Sequence, residues 1–154
     1  MPRHLEMISM KSSIRRCQIV PDRLARGLLD TSVIVDLDRL DASQLPEEVA
    51  ISTVTLAELS AGPSATTDVS ERARRQDRLQ RTEAAFDPLP FDIRSARAYG
   101  RVHAAVVVEQ GRQPRRKFAD LLIAATALAE DLPVVTRNGK DFQGLEGLVT
   151  VIEI

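Results

Sequence analysis

The chain has no tryptophan, one tyrosine and four phenylalanines among 154 residues. Its core must therefore be aliphatic, and recognition of nucleic acid by stacking bases on aromatic rings is disfavoured. The single cysteine, Cys17, excludes an internal disulfide, and no Cys/His cluster has the spacing of a zinc site. Both features fit a reducing, cytoplasmic compartment. No apolar run is long enough to span a bilayer. The pair Arg15-Arg16 resembles an export signal, but the CQIVPDRLARG that follows is too short and too charged to be its apolar core. Charge of neither sign prevails, with 21 Lys and Arg against 22 Asp and Glu. No whole-molecule field draws in nucleic acid or membrane, so a polyanion must meet a local basic patch.

What is present suits one α/β domain: 44% of the residues are hydrophobic, mostly Leu, Val, Ile and Ala. Residues 1–26 are basic, carry Pro2 and Pro21 and show no sustained period; they are expected to form a poorly ordered arm. Residues 27–154 are expected to be the folded domain. It opens on LLDTSVIVDL, Leu28 to Leu37, where a strand stops at Asp30-Thr31-Ser32 and a capped helix begins. VAIST, from Val49 to Thr53, reads as a short buried strand, and VTLAELSAGP as a helix that Gly62 and Pro63 end. Glu58 lies on that helix with two readings left open. It is a functional acid, or it is the far half of a capping box begun by Thr55.

Asp68 to Phe86 is densely charged and reads as a solvated helix with an apolar edge. Its arginines, Arg72, Arg74, Arg75, Arg78 and Arg81, are either an RNA-facing run or an ordinary wet face. DPLPFD, Asp87 to Asp92, is expected to be an edge strand between prolines. Ile93 to Gln110 predicts a long helix whose Ala96, Tyr99, Val102, Val106 and Val107 face the sheet. His103 on that helix has no partner in the pattern and is assigned no catalytic part. FADLLIAATALAED is apolar on nearly all sides, as a buried helix is, with Asp120 in its first turn. LPVVT gives a strand, RNGKDF a turn carrying Asp141, and VTVIEI a final edge strand. The order of elements predicts an α/β/α sandwich on a mostly parallel sheet of about five strands.

Asp30, Glu58, Asp120 and Asp141 each follow a strand or open the buried helix beside one, which places them along one edge of the sheet. Ligands of open α/β sheets collect outside the carboxyl ends of the strands. Carboxylates so gathered oppose one another's ionisation unless a cation joins them, and an oxygen-only set points to a hard ion. In order and spacing, LLDTSVIVDL, TVTLAELSAG, FADLLIAATAL and VVTRNGKDF resemble the blocks of the PIN-domain ribonucleases, and among these the VapC-type toxins of bacterial toxin–antitoxin pairs. The resemblance runs from about Leu28 to the C-terminus. It implies a PIN-like fold, with Asp30, Glu58, Asp120 and Asp141 as the acidic quartet holding Mg2+, or Mn2+ in its place, and Asp30 and Asp120 as the most direct ligands. Thr31, Ser32, Thr136 and Asn138 would then fix the carboxylates and a water, while Arg115, Arg116, Lys117, Arg137 and Lys140 would contact RNA phosphates. The same resemblance implies endonucleolytic hydrolysis of RNA, a cognate antitoxin and a homodimer. Asp30-Thr31-Ser32 lacks the Asp-x-Asp of a haloacid-dehalogenase-type phosphotransferase, and no acid pair accompanies Lys140 as a receiver domain requires. A non-catalytic RNA- or protein-binding module on the same fold is the alternative in another class.

Overall fold

The computed structural model describes residues 23–110 and 118–154. Four strands, β1 (Arg26–Leu29), β2 (Glu48–Ala50), β3 (Val134–Thr136) and β4 (Val151–Glu153), form one sheet in the order β2-β1-β3-β4. Every pairing is parallel, with Leu28 opposite Ala50 and Val134, and Val135 opposite Ile152. Five helices cover it: α1 (Thr31–Asp36), α2 (Thr53–Ala61), α3 (Val69–Ala85), α4 (Ile93–Gln110) and α5 (Phe118–Glu130). No helix among the described residues is long and apolar enough to cross a membrane.

The two central strands are continuous apolar runs because both of their faces are covered. Successive side chains point to opposite faces. Leu28 and Val134 accordingly join Val102, Val106, Ile123 and Ala124 of α4 and α5 in one core cluster. Leu29 and Val135 join Val33, Ile34 and Leu59 of α1 and α2 in the other, with Leu79 and Phe86 of α3 against it. Gly27 allows the close fit at β1, since a Cβ there would meet Pro46 Cγ and Val135 Cγ2 at 2.8 Å each.

Three expectations need correction. The fifth strand reduces to a single bridge between Leu89 and Ser52, with the Leu89 N–H donating to the Ile51 carbonyl and the Leu89 carbonyl accepting from the Thr53 N–H. Pairing stops there because the partner segment turns into α2 at Thr53, and the Phe91 N–H donates to the Thr53 hydroxyl at 3.1 Å instead of continuing the ladder. On α4 the buried residue is Ala98, not the exposed Ala96. Of the stretch expected to be an arm, Arg23 donates to the carbonyls of Leu45 and Ala42, Leu24 packs on the second cluster, and Arg26 opens β1. The remainder of that stretch, residues 1–22, lies outside the described residues, as does the basic segment 111–117.

Candidate active site

The site starts from where β1 stops. Asp30 is the N-cap of α1, and its Oδ1 accepts from Thr31 N–H at 2.8 Å. Its Oδ2 accepts from two hydroxyls, Ser32 Oγ at 2.8 Å and Thr136 Oγ1 at 2.9 Å. Thr136 is the last residue of β3, the strand beside β1, so two neighbouring strand ends converge on one carboxylate. Asn138 contributes through its backbone, whose N–H donates to Thr136 Oγ1 at 3.1 Å. The Arg137 N–H likewise donates to Ser32 Oγ at 3.1 Å. Asp30 is 3% exposed. All three of its donors are neutral, and among the described residues no Lys, Arg or His pairs with it.

Glu58 enters the same network from α2. Thr31 Oγ1 donates to Glu58 Oε2 and lies 3.3 Å from the fully buried Thr55 Oγ1. The capping-box reading of Glu58 is thereby excluded. The cap of α2 is Ser52, whose Oγ accepts from Thr55 N–H at 3.1 Å, so the helix begins three residues ahead of the Thr55–Glu58 register. Glu58 is then in mid-helix and bonds across to α1. Ser52 and Thr55 join the cluster without having been singled out in the sequence, because both looked like ordinary capping residues. The one available sign was the density of hydroxyls in STVT.

Asp120 stands in the first turn of α5 and is 7% exposed, within a helix buried on nearly every side. Helix α5 leads into β3 after three residues, and thirteen residues at 1.5 Å each carry the chain about 20 Å back across the sheet. The first turn of α5 thus lies at the carboxyl edge, the edge of Asp30 and Thr136. Asp141 follows β3 directly, half-buried in the short 3-10 turn Gly139–Phe142, and its side chain takes no hydrogen bond among the described residues. Topology therefore puts the four acids on one edge, and Thr31 joins Asp30 to Glu58 directly.

The set consists entirely of carboxylate oxygens, the chemistry of a hard divalent ion. The buried, cation-free charge of Asp30 fits that ion too. As the side chains lie, no three Asp, Glu, His or Cys groups among the described residues converge to hold a metal. Ligation beyond Asp30 would therefore draw the other carboxylates inward.

Of the expected phosphate contacts, Arg137 is committed elsewhere. Its Nε is 3.5 Å from Asp36 Oδ2 and its guanidinium donates to the Ile154 carbonyl at 2.8 Å. Lys140 is exposed and makes no ion pair among the described residues. Arg115, Arg116 and Lys117 fall outside them.

Beside Glu58 a cavity of about 220 Å³ opens between α1, α2 and α3, with Thr31, Glu58, Glu71, Arg75 and Arg78 on its walls. The Arg75 guanidinium, and next to it that of Arg74, hold the Glu71 carboxyl below the ordinary carboxylate range.

Comparison with known proteins agrees with this geometry. The PIN domain family matches residues 27–148. Ribonuclease VapC5 of Mycobacterium tuberculosis is 40% identical over 132 residues, which cover 82% of this chain and 93% of that protein. Ribonuclease VapC of Rickettsia bellii is 30% identical over 127 residues, covering 79% and 91% respectively. Among solved structures, VapBC-5 of M. tuberculosis, a member of the VapBC family of toxin–antitoxin systems, superposes with a TM-score of 0.73 at 39% identity. That match covers 84% of this chain and 99% of its counterpart.

Proposed function

We propose, from the premise that this chain belongs to the PIN-domain family and within it to the VapC ribonucleases, that it is the ribonuclease toxin of a type II toxin–antitoxin pair and cuts RNA internally by metal-dependent hydrolysis. The observation that carries this reading is Asp30. A carboxylate 3% exposed and one hydroxyl away from Glu58 is met by three neutral donors and, among the described residues, by no cation.

Asp30 and Asp120 would hold the ion, with Glu58 and Asp141 completing the acidic set. When bound, a divalent ion such as magnesium or manganese lowers the pKa of a water and offsets charge on the phosphoryl oxygens. The chain's own part is orientation. Ser32 and Thr136 fix Oδ2 of Asp30, Thr31 N–H fixes Oδ1, and the Thr31 hydroxyl aims Glu58. Glu58 or Asp141 also suits the task of orienting the attacking water. No side chain need become a covalent nucleophile. Lys140, with Arg115, Arg116 and Lys117 of the basic segment, supplies phosphate contacts near the acids, which makes affinity for RNA salt-dependent despite a net charge of −1. The partners are a cognate antitoxin and a second copy of the chain, in the cytoplasm.

The test is Asp120→Asn. Cleavage of RNA in magnesium or manganese should fall by at least about a hundredfold while the melting temperature holds. Cleavage at the wild-type rate by this variant would refute the site.

A further inference from the structure

The five arginines of α3 look alike in the sequence, and the structure divides them. Arg72 donates to the Thr66 carbonyl at 3.1 Å. Arg74 and Arg75 both bind Glu71, and Arg75 also donates to the Gly62 carbonyl. Arg81 pairs with Asp38 of the turn after α1 and with Asp77 one turn back. Arg78 alone of the five has a guanidinium that makes no hydrogen bond or ion pair among the described residues, although the residue is half-buried, and it lines the cavity that Thr31 and Glu58 also line.

The charges in that cavity sort in the same way. Glu71 and Arg75 satisfy each other at 2.9 Å, and Glu58 takes the Thr31 hydroxyl. What remains is a guanidinium whose forked donors are directed to no protein acceptor. Partial desolvation of such a group is unfavourable, and it becomes useful when a planar or tetrahedral oxyanion fills the fork. Through-space attraction to Glu58 would stabilise the charge of Arg78 but leave its donors unused.

We propose that Arg78 binds a backbone phosphate of the RNA strand next to the bond being cut, positioning that strand against Glu58. This inference rests on the ribonuclease reading and adds to it a substrate contact on α3, far in sequence from the basic segment 111–117.

The test compares wild type, Arg78→Ala and Arg78→Lys for binding of a short, labelled, mixed-sequence single-stranded RNA across a salt series, and for cleavage kinetics in manganese. Arg78→Ala should weaken binding roughly tenfold and raise KM at unchanged kcat. It should also reduce the salt slope by about 0.7. Arg78→Lys should restore the salt slope but only part of the affinity, because an ammonium lacks the fork. Melting temperatures should stay close among the three, since no hydrogen bond or ion pair of the Arg78 side chain is lost among the described residues. Wild-type affinity and slope in Arg78→Ala, or a lowered melting temperature with RNA binding intact, would overturn the proposal and leave the ribonuclease reading standing. A wild-type protein that neither binds nor cuts RNA would bring down both.

Discussion

Two polar clusters in this molecule are built on opposite terms. On the flank formed by α3, charges meet charges: Glu71 faces Arg74 and Arg75, and Asp38 faces Arg81. These groups are exposed or partly so, and pairs of that kind add little to stability. At the carboxyl edge of the sheet, Asp30 is buried and faces hydroxyls and an amide instead. Among the described residues, none of the arginines is placed on Asp30. The flank is arranged for solubility and modest stability. On the proposed reading, the edge keeps a carboxylate that no cationic side chain of the described residues meets, an arrangement that would serve binding of a cation rather than stability.

The contrast can be broken from either side. The larger effect is expected at the edge. Thr31→Val keeps the shape of the side chain but removes the hydroxyl that links α1 to Glu58, and RNA cleavage should fall about 10- to 100-fold with little change in melting temperature. Kinetics at saturating RNA, set beside thermal melts, would check this. The smaller effect belongs to the flank. Because its arginine neighbours lower the Glu71 carboxyl from an ordinary value of 4.5, its stabilising contribution is complete above that pH and is lost as pH falls through the lowered value. Glu71→Gln should therefore lower the melting temperature slightly at neutral pH and flatten its decline below about pH 4.5, as thermal melts between pH 3 and pH 7 would show, with RNA cleavage at neutral pH changed little.

Much of this architecture was legible in the residues, for reasons that can be named. The parallel sheet follows from apolar runs such as LLD and VVT that leave no polar face, and the lengths of α4 and α5 follow from their periodicity. Asp30 could be singled out because an acid at a strand-to-helix junction has few places to go. Glu58 was ambiguous because Thr55 and Ser52 both have hydroxyls able to cap, and only the packing of α2 decides which register wins. The arginines of α3 could be ranked only in part: Glu71 stands three and four residues before Arg74 and Arg75, and Asp77 four before Arg81, but the other contacts reach beyond the helix. Their partners, Asp38, Gly62 and Thr66, come from other elements, and local sequence carries no sign of those pairings. DPLPFD misled in the other direction, since its alternation suits a strand while its partner segment turns into α2 after one bridge, which the local sequence does not reveal.

The most direct measurement is the thermal response of wild type and Asp30→Asn to manganese. Asparagine caps a helix as well as aspartate does, so the variant should fold and, without metal, melt no lower than wild type. At a hundred times the dissociation constant, manganese should raise the wild-type melting temperature by roughly 5 to 10 °C and leave that of Asp30→Asn nearly unmoved. Equal shifts in both proteins, or no shift in either, would contradict the claim that the acids at this edge are held for a divalent ion.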